Sequence, residues 1–434
     1  MKSGILAPYA RYLESSSTLR WHGRVSQVVG NLVESEGPFC FVGEACEILD
    51  AHGRSYAGEI IGFRGSTMLS MTTEPPRGIR FGDHIVTWGA RPSVRVGPDL
   101  LGRVVDTAGN PMDGKGDYRA ASLVPINGSA PLPLDRIPIR TPLSCGIRAI
   151  DAFLTCGRGQ RIGIFGGSGV GKSTLLGMMA RGTAADMTVL ALVGERGREV
   201  GEFLELLGEE GLRRTVVMVS TSDQSPLLRL RAALAATATA EYFAGIGRNV
   251  LLVVDSLTRF AMAQREIGLA AGEPPTAKGY TPSVLNALAH LVERVGNFSQ
   301  GSITAFYTVL MEGDDQQDPV VDTVRSLLDG HVVLSRKLAM RSHYPPISIL
   351  DSISRLMSNV ASKEHLEKAK ELRLLMATYA YSEDLIRIGA YQSGADSVLD
   401  KAIQTLPALN SLLQQPPSTL SSLPETVQKM MAIA

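Results

Sequence analysis

Eight consecutive residues, Gly166-Gly167-Ser168-Gly169-Val170-Gly171-Lys172-Ser173, match the spacing of a phosphate-binding loop at every constrained position. Glycines in such a loop let backbone N–H groups turn inward around phosphate oxygens, the lysine supplies a point charge for the outer phosphates, and the serine hydroxyl suits Mg²⁺. Gly166 to Thr174 are therefore the candidate contacts to a nucleoside triphosphate, with Ser173 as a metal ligand. The loop needs a strand before it and a helix after it. Arg161-Ile162-Gly163-Ile164-Phe165 reads as a short buried strand, and Ser173 to Arg181 reads as a helix opening beneath the phosphates.

A phosphate loop also needs a carboxylate, at the end of a neighbouring buried strand, that organises the metal. The run Asn249-Val250-Leu251-Leu252-Val253-Val254-Asp255 supplies one, and Asp255 is the candidate for orienting Mg²⁺ and its waters. By itself an apolar run ending in Asp also fits a helix cap or a turn. Hydrolysis further requires a group that polarises water, and Glu195 closes the strand Thr188 to Val193 within Gly194-Glu195-Arg196-Gly197-Arg198-Glu199. Spacing alone leaves Glu195 equally well explained as a surface partner of Arg196 or Arg198.

These groups belong to a chain of 434 residues, more than one hydrophobic core usually holds. Lys and Arg number 43 and Asp and Glu 43, with no block of like charge, so whole-chain electrostatics points neither to nucleic acid nor to an anionic membrane. Cys40, Cys46, Cys145 and Cys156 form no C-x-x-C pair and have no His at zinc-finger spacing, as expected of buried thiols in a reducing compartment. No apolar run is long enough to span a bilayer and no signal peptide is evident; the expectation is a cytoplasmic protein.

Four regions follow. Residues 1–18 form an N-terminal arm in which Ile5, Leu6, Tyr9, Tyr12 and Leu13 recur at helical spacing around Pro8, a weak amphipathic pattern suited to a partner, a membrane surface or a frayed end. Residues 19–90 contain short β-rich pieces, such as Arg24 to Val29 and Glu59 to Phe63, divided by turns at Asp50 to Gly53 and Pro75-Pro76; these predict a small barrel. Residues 91–360 begin with the turn-rich Leu100 to Tyr118 and the proline-rich Pro131 to Pro142, expected to cross the surface. They continue with strands predicted at Ile162 to Phe165, Thr188 to Val193, Thr215 to Val219, Val250 to Val254, Ile303 to Val309 and His331 to Leu334. Helical patterns alternate with these strands, notably Val200, Phe203, Leu204, Leu207 and the long run Ser225 to Phe243, so the expected core is an open, mainly parallel α/β sheet. The strand signal fades after Asp351. Residues 361–434 should be helical, from Lys363 to Tyr379 and again from Ser422 to Met431 after the Gln415-Pro416-Pro417 break.

The phosphate loop, Gly194-Glu195-Arg196 and Val254-Asp255-Ser256-Leu257-Thr258-Arg259-Phe260 together resemble the catalytic core of the rotary ATPase superfamily. The flanks Arg158 to Arg161 and Thr174 to Arg181, with Glu312-Gly313-Asp314-Asp315, Asp329 to Arg336 and Gly389-Ala390-Tyr391-Gln392, narrow the resemblance to the ATPases of type III protein export, over about Arg24 to Ile403. Gly167 departs from the alanine found there in many such proteins. The resemblance implies a RecA-like P-loop ATPase core between an N-terminal small β-barrel and a C-terminal helical domain. It also implies Mg²⁺-dependent ATP hydrolysis driving export, flagellar first and by a virulence or symbiosis injection system second. Glu195 then aligns with the catalytic glutamate, Arg196 with the arginine after it, Arg355 with an arginine that reaches a neighbouring subunit's γ-phosphate, and Tyr344 with an aromatic that stacks on adenine. An arginine given in trans implies a homohexamer. The implied partners are export-gate, stator and stalk proteins and chaperone-bound export substrates, at the cytoplasmic face of the inner membrane with peripheral membrane association.

Other functions leave different marks. A rotary ATP synthase catalytic subunit needs partner subunits carrying a second, noncatalytic nucleotide site. An RNA-translocating ring should interleave basic and aromatic residues in its N-terminal domain, and Gly37-Pro38-Phe39-Cys40-Phe41 with Glu44 to Glu47 does not; no nucleic acid partner is expected. A scaffold that binds nucleotide without hydrolysing it has no need of Lys172, Asp255 and Glu195 together.

Overall fold

The computed structural model describes residues 19–311 and 318–433. The N-terminal arm and Glu312-Gly313-Asp314-Asp315 lie outside the described residues.

Six strands, β1 (Trp21–Val29), β2 (Leu32–Glu36), β3 (Ala45–Leu49), β4 (Ser55–Arg64), β5 (Thr67–Thr72) and β6 (His84–Thr87), close into an antiparallel barrel in the order β1-β2-β5-β4-β3-β6. Their alternating burial puts Val25, Val33, Cys46, Ile48, Tyr56, Ile60 and Ile85 inside. Closure leaves no unpaired barrel edge. The barrel meets the rest of the chain through Met71, packed on Leu227 and Ile267, and through the ion pair Arg231–Glu59 at 2.7 Å, both side chains largely buried.

The ribbon of β7 (Ser93–Val96) and β9 (Ser122–Pro125) follows, with the short β8 (Val104–Val105) between them in sequence. The expectation that Leu100 to Tyr118 merely crosses the surface is corrected here. β8 pairs in parallel with β14 (Thr215–Thr221) and forms the sheet's edge, because Leu100 and Val105 are fully buried and Arg103 is tied to Asp113 at 2.7 Å. The short pair β10 (Pro142–Leu143) and β11 (Cys156–Gly157) leads into the core. There, β12 (Arg161–Gly166), β13 (Met187–Glu195), β14, β15 (Asn249–Asp255), β16 (Ser302–Leu310), β17 (Gly330–Leu334) and β18 (Ile347–Ser354) build one eight-stranded sheet with β8. Its order is β18-β17-β12-β16-β15-β13-β14-β8, and β18 alone runs antiparallel.

Both faces of this sheet are covered, which is why its strands are apolar throughout rather than alternating. Leu190, Leu192, Leu251 and Val253 face the helices Lys172–Gly182 and Gly197–Arg213 together with the C-terminal helices. Val189, Ala191, Val193, Val250, Leu252 and Val254 face the helices Pro226–Gly245, Leu257–Ala271 and Pro282–Glu293. The C-terminal helices are Lys363–Arg387, Ser397–Leu413 and Leu423–Met431. The helical stretch beginning at Lys363 runs on past Tyr379 to Arg387, and the middle helix of this helical region, which contains Pro407, was not separately bounded in sequence. The last is set by a capping box in which Ser422 and Glu425 bond reciprocally.

Candidate functional site

In a parallel sheet the strand C-termini and the helix N-termini that follow them open on one edge, and there the chemistry collects. β12 ends at Gly166, and helix Lys172–Gly182 starts after Gly171, whose φ of 90° is the left-handed conformation that glycine adopts without a Cβ penalty. The loop between them presents its backbone to a cavity of about 400 Å³ lined by Gly167 to Gly169, Gly171 to Thr174, Glu195, Arg196 and Arg259, with Glu199 and Leu310 beside them. Lys172 Nζ lies 2.6 Å from Asp255 Oδ1. Asp255 is 2% exposed at the end of β15, and Thr308 on β16 donates its hydroxyl to the same carboxylate oxygen at 2.7 Å. Asp255 is not a cap: Ser256 caps the helix that follows, accepting from the Arg259 N–H.

Glu195 is also buried, so the surface-pair alternative fails on its geometry. Its partner is Arg259, at 3.2 Å, whereas Arg196 turns outward toward Glu199 at 3.6 Å and Arg198 toward Glu202 at 3.4 Å. A bulge between Val193 and Glu195 aims the carboxylate: Gly194 takes φ 63°, and a Cβ there would stand 3.3 Å from Arg229 Cδ and 3.4 Å from Arg259 Cδ. Burial, the Glu199 carboxylate sharing a proton, and the Asp255 charge push Glu195 up to about 8, against the opposing pull of Arg259 and Lys172. Glu199 is correspondingly held below the usual carboxylate range.

Two predicted residues stand apart from this cavity. Tyr344, half-exposed, puts its ring edge 3.9 Å from where a Cβ on Gly171 would lie, beside the end of the phosphate loop. Arg355 is exposed and follows Ser354, which pairs with Gly330 at the start of β17, while Arg161 at the start of β12 is bonded to Asp329. It therefore sits at the opposite edge of the sheet, about 16 Å along the strands from the phosphate loop by strand rise, beyond an arginine's reach. Arg259, Glu199 and Thr308 join the site without having been singled out from sequence.

The oxygen-only set of the Ser173 hydroxyl and the Asp255 carboxylate fits a hard cation. No cluster of three His, Cys, Asp or Glu that could cage a metal occurs among the described residues. Nor is any described helix long and apolar enough to cross a membrane.

A phosphate loop and two buried carboxylates at the carboxyl edge of a RecA-like sheet, with a β-barrel before it and helices after it, define the class of P-loop ATPases. The comparisons agree: residues 146–354 match the ATP synthase alpha/beta family nucleotide-binding domain, and residues 361–432 the T3SS EscN ATPase C-terminal domain. The chain belongs to the family of flagellum-specific ATP synthases and type 3 secretion system ATPases. It is 49% identical to the flagellum-specific ATP synthase of Bacillus subtilis over 97% of both chains. It is 48% identical to the type 3 secretion system ATPase of Sinorhizobium fredii over 93% of this chain and 90% of that protein. The structure of the assembled ATPase EscN from the enteropathogenic E. coli type III secretion system superposes with a TM-score of 0.90 at 44% identity, covering 95% of this chain and 99% of that one.

Proposed function

We propose that this chain hydrolyses Mg²⁺-ATP to drive protein export through a type III apparatus, releasing and unfolding chaperone-bound substrates at the export gate. The observation that carries the reading is that Lys172 and Glu195 line one cavity with the phosphate loop, while Asp255, buried beneath it, is ion-paired to Lys172 at 2.6 Å. Backbone N–H groups from Gly166 to Thr174 bind the phosphates. Lys172 leaves Asp255 for the outer phosphate oxygens, and Ser173 with Asp255 would hold Mg²⁺, which would neutralise charge on the phosphates. Glu195 takes the proton of the attacking water, a role suited to its raised pKa, while Arg259 fixes its orientation. Arg196 waits at the cavity rim, and Tyr344 stacks on the base.

Arg355 cannot serve its own phosphates, so it serves a neighbour's, and a ring of identical subunits, a homohexamer, closes the sites. The structure of EscN in complex with its central stalk supports a stalk partner here. Stator and gate proteins complete the assembly at the cytoplasmic face of the inner membrane, with the chain bound peripherally. Phosphate release by purified Lys172→Ala and Glu195→Gln chains tests the catalytic assignment. Turnover should collapse in both while circular dichroism stays native, and near-normal turnover in both refutes it.

Flagellar service is the first reading, and the 48% identity to an injection-system ATPase keeps that service second. Deletion decides between them: lost filaments support the first, and normal filaments with lost effector secretion support the second.

A further inference from the structure

The ring of Tyr344 takes no hydrogen bond from any described residue, so its place beside Gly171 has to be set by its backbone. Its carbonyl accepts from the backbone N–H of Gln415 at 2.9 Å. Gln415 lies just after helix Ser397–Leu413 and is 2% exposed, although glutamine is usually a surface residue. Every polar atom of its side chain is used: Oε1 accepts from the Arg148 N–H at 2.8 Å, and Nε2 donates to the carbonyls of Gly146 at 2.8 Å and Thr419 at 2.9 Å. The amide orientation follows from these partners, since an N–H faces the oxygen and two carbonyls face the nitrogen. A buried amide so fully satisfied has one position, and any substitute leaves buried partners unmet.

We infer that Gln415 is a positioning residue for nucleotide recognition, clamping the Tyr344 backbone between the loop Gly146–Arg148 and the C-terminal helices so that the ring stands where a base would stack. The inference rests on the proposed stacking role of Tyr344. It makes the C-terminal helical region a determinant of affinity for the base but not for the phosphates.

The test is calorimetric titration of the full chain, with Mg²⁺, using a non-hydrolysable ATP analogue and inorganic tripolyphosphate, which has no base. Gln415→Leu should weaken the analogue about tenfold, toward the lower end of the range for base–aromatic stacking. Tripolyphosphate should bind within about twofold of the parent, which also reports an intact phosphate loop. KM for ATP should rise while kcat holds. Gln415→Asn, an amide one methylene short, should fall between, and decides the matter if Gln415→Leu does not fold. In a Tyr344→Ala background, Gln415→Leu should add nothing, because the two act through one contact. Equal loss of both ligands, an unchanged analogue affinity, or additive effects of the two substitutions overturns the inference. If Tyr344→Ala weakens the analogue and Gln415→Leu does not, this inference alone falls; if neither Tyr344→Ala nor removal of the base changes affinity, the stacking role falls with it.

Discussion

Lys172 and Asp255 form an ion pair at 2.6 Å in which the carboxylate is almost wholly buried and takes a second bond from Thr308. Removing either partner leaves the other charge uncompensated away from water, which costs far more than the pair contributes intact. Lys172→Ala should therefore lose about 3 kcal/mol of stability in urea titrations without nucleotide, besides abolishing turnover. The double variant Lys172→Ala/Asp255→Ala should be more stable than the sum of the single losses predicts, since it removes both ends of one interaction.

Glu195 supplies a pH prediction. Its pKa is raised to about 8, chiefly by burial, so the proton acceptor accumulates as pH rises and kcat/KM should climb toward pH 8. The Glu199 carboxylate helps to hold that value up, and Glu199→Gln should move the ascending limb to lower pH; Arg259 opposes it, and Arg259→Ala should move the limb higher. Glu195→Gln should reduce kcat by at least about a hundredfold. Because the folded pKa lies above the ordinary 4.5, the stability associated with protonated Glu195 is lost as pH rises through about 8. At pH 9, thermal melts of Glu195→Gln should exceed those of the parent, and at pH 5 that advantage should vanish.

The parts of the site legible in sequence were those whose chemistry is local. Gly166 to Ser173 carries its own spacing, and the apolar runs before Glu195 and Asp255 mark covered parallel strands, but whether the two carboxylates are themselves buried was open until the strand ends were placed. Thr308 could not be read: a threonine inside Ser302–Leu310 looks like any β-branched strand residue until β16 is laid beside β15. Arg259 was visible inside a motif, but its pairing with Glu195 depends on a bulge at Gly194 that no periodicity reveals. β8 is two residues long, below the length at which alternation can signal a strand, and only its pairing with β14 identifies it. The bounds of helix Ser397–Leu413 could not be read, because Pro407 sits inside it and its breaking tendency is outweighed only by the burial of Leu399, Ala402, Leu409 and Leu412.

At the junction of barrel and core, Arg231 is bonded twice to Glu59 Oε2, and burial raises the Glu59 pKa despite this partner. Arg231→Ala should cost about 3 kcal/mol at pH 8, where Glu59 would be left as a buried lone anion. A raised carboxyl pKa stabilises the folded state at low pH and loses that contribution as pH rises. The defect of Arg231→Ala should thus shrink at pH 5, when Glu59 can take a proton. Denaturant titrations at the two pH values check the sign, and an equal loss at both would place the role of Arg231 in packing instead of charge.

Arg355 gives the prediction that separates a ring enzyme from a monomer. The phosphate loop and Arg355 occupy opposite edges of the same sheet, so a chain lacking Lys172 still offers a sound Arg355, and a chain lacking Arg355 still offers a sound loop. Each variant alone should be inactive, Arg355→Ala by about a thousandfold if its guanidinium meets transition-state charge. Mixed in equal amounts and allowed to reassemble, they should recover roughly a quarter of parental turnover, because one interface in four pairs a sound loop with a sound arginine in a random ring. Recovery should appear only at concentrations where light scattering reports assembly. If Arg355→Ala chains hydrolyse ATP normally, or the mixture stays inactive although it assembles, the arginine does not act across the boundary and the site must be completed from within one chain.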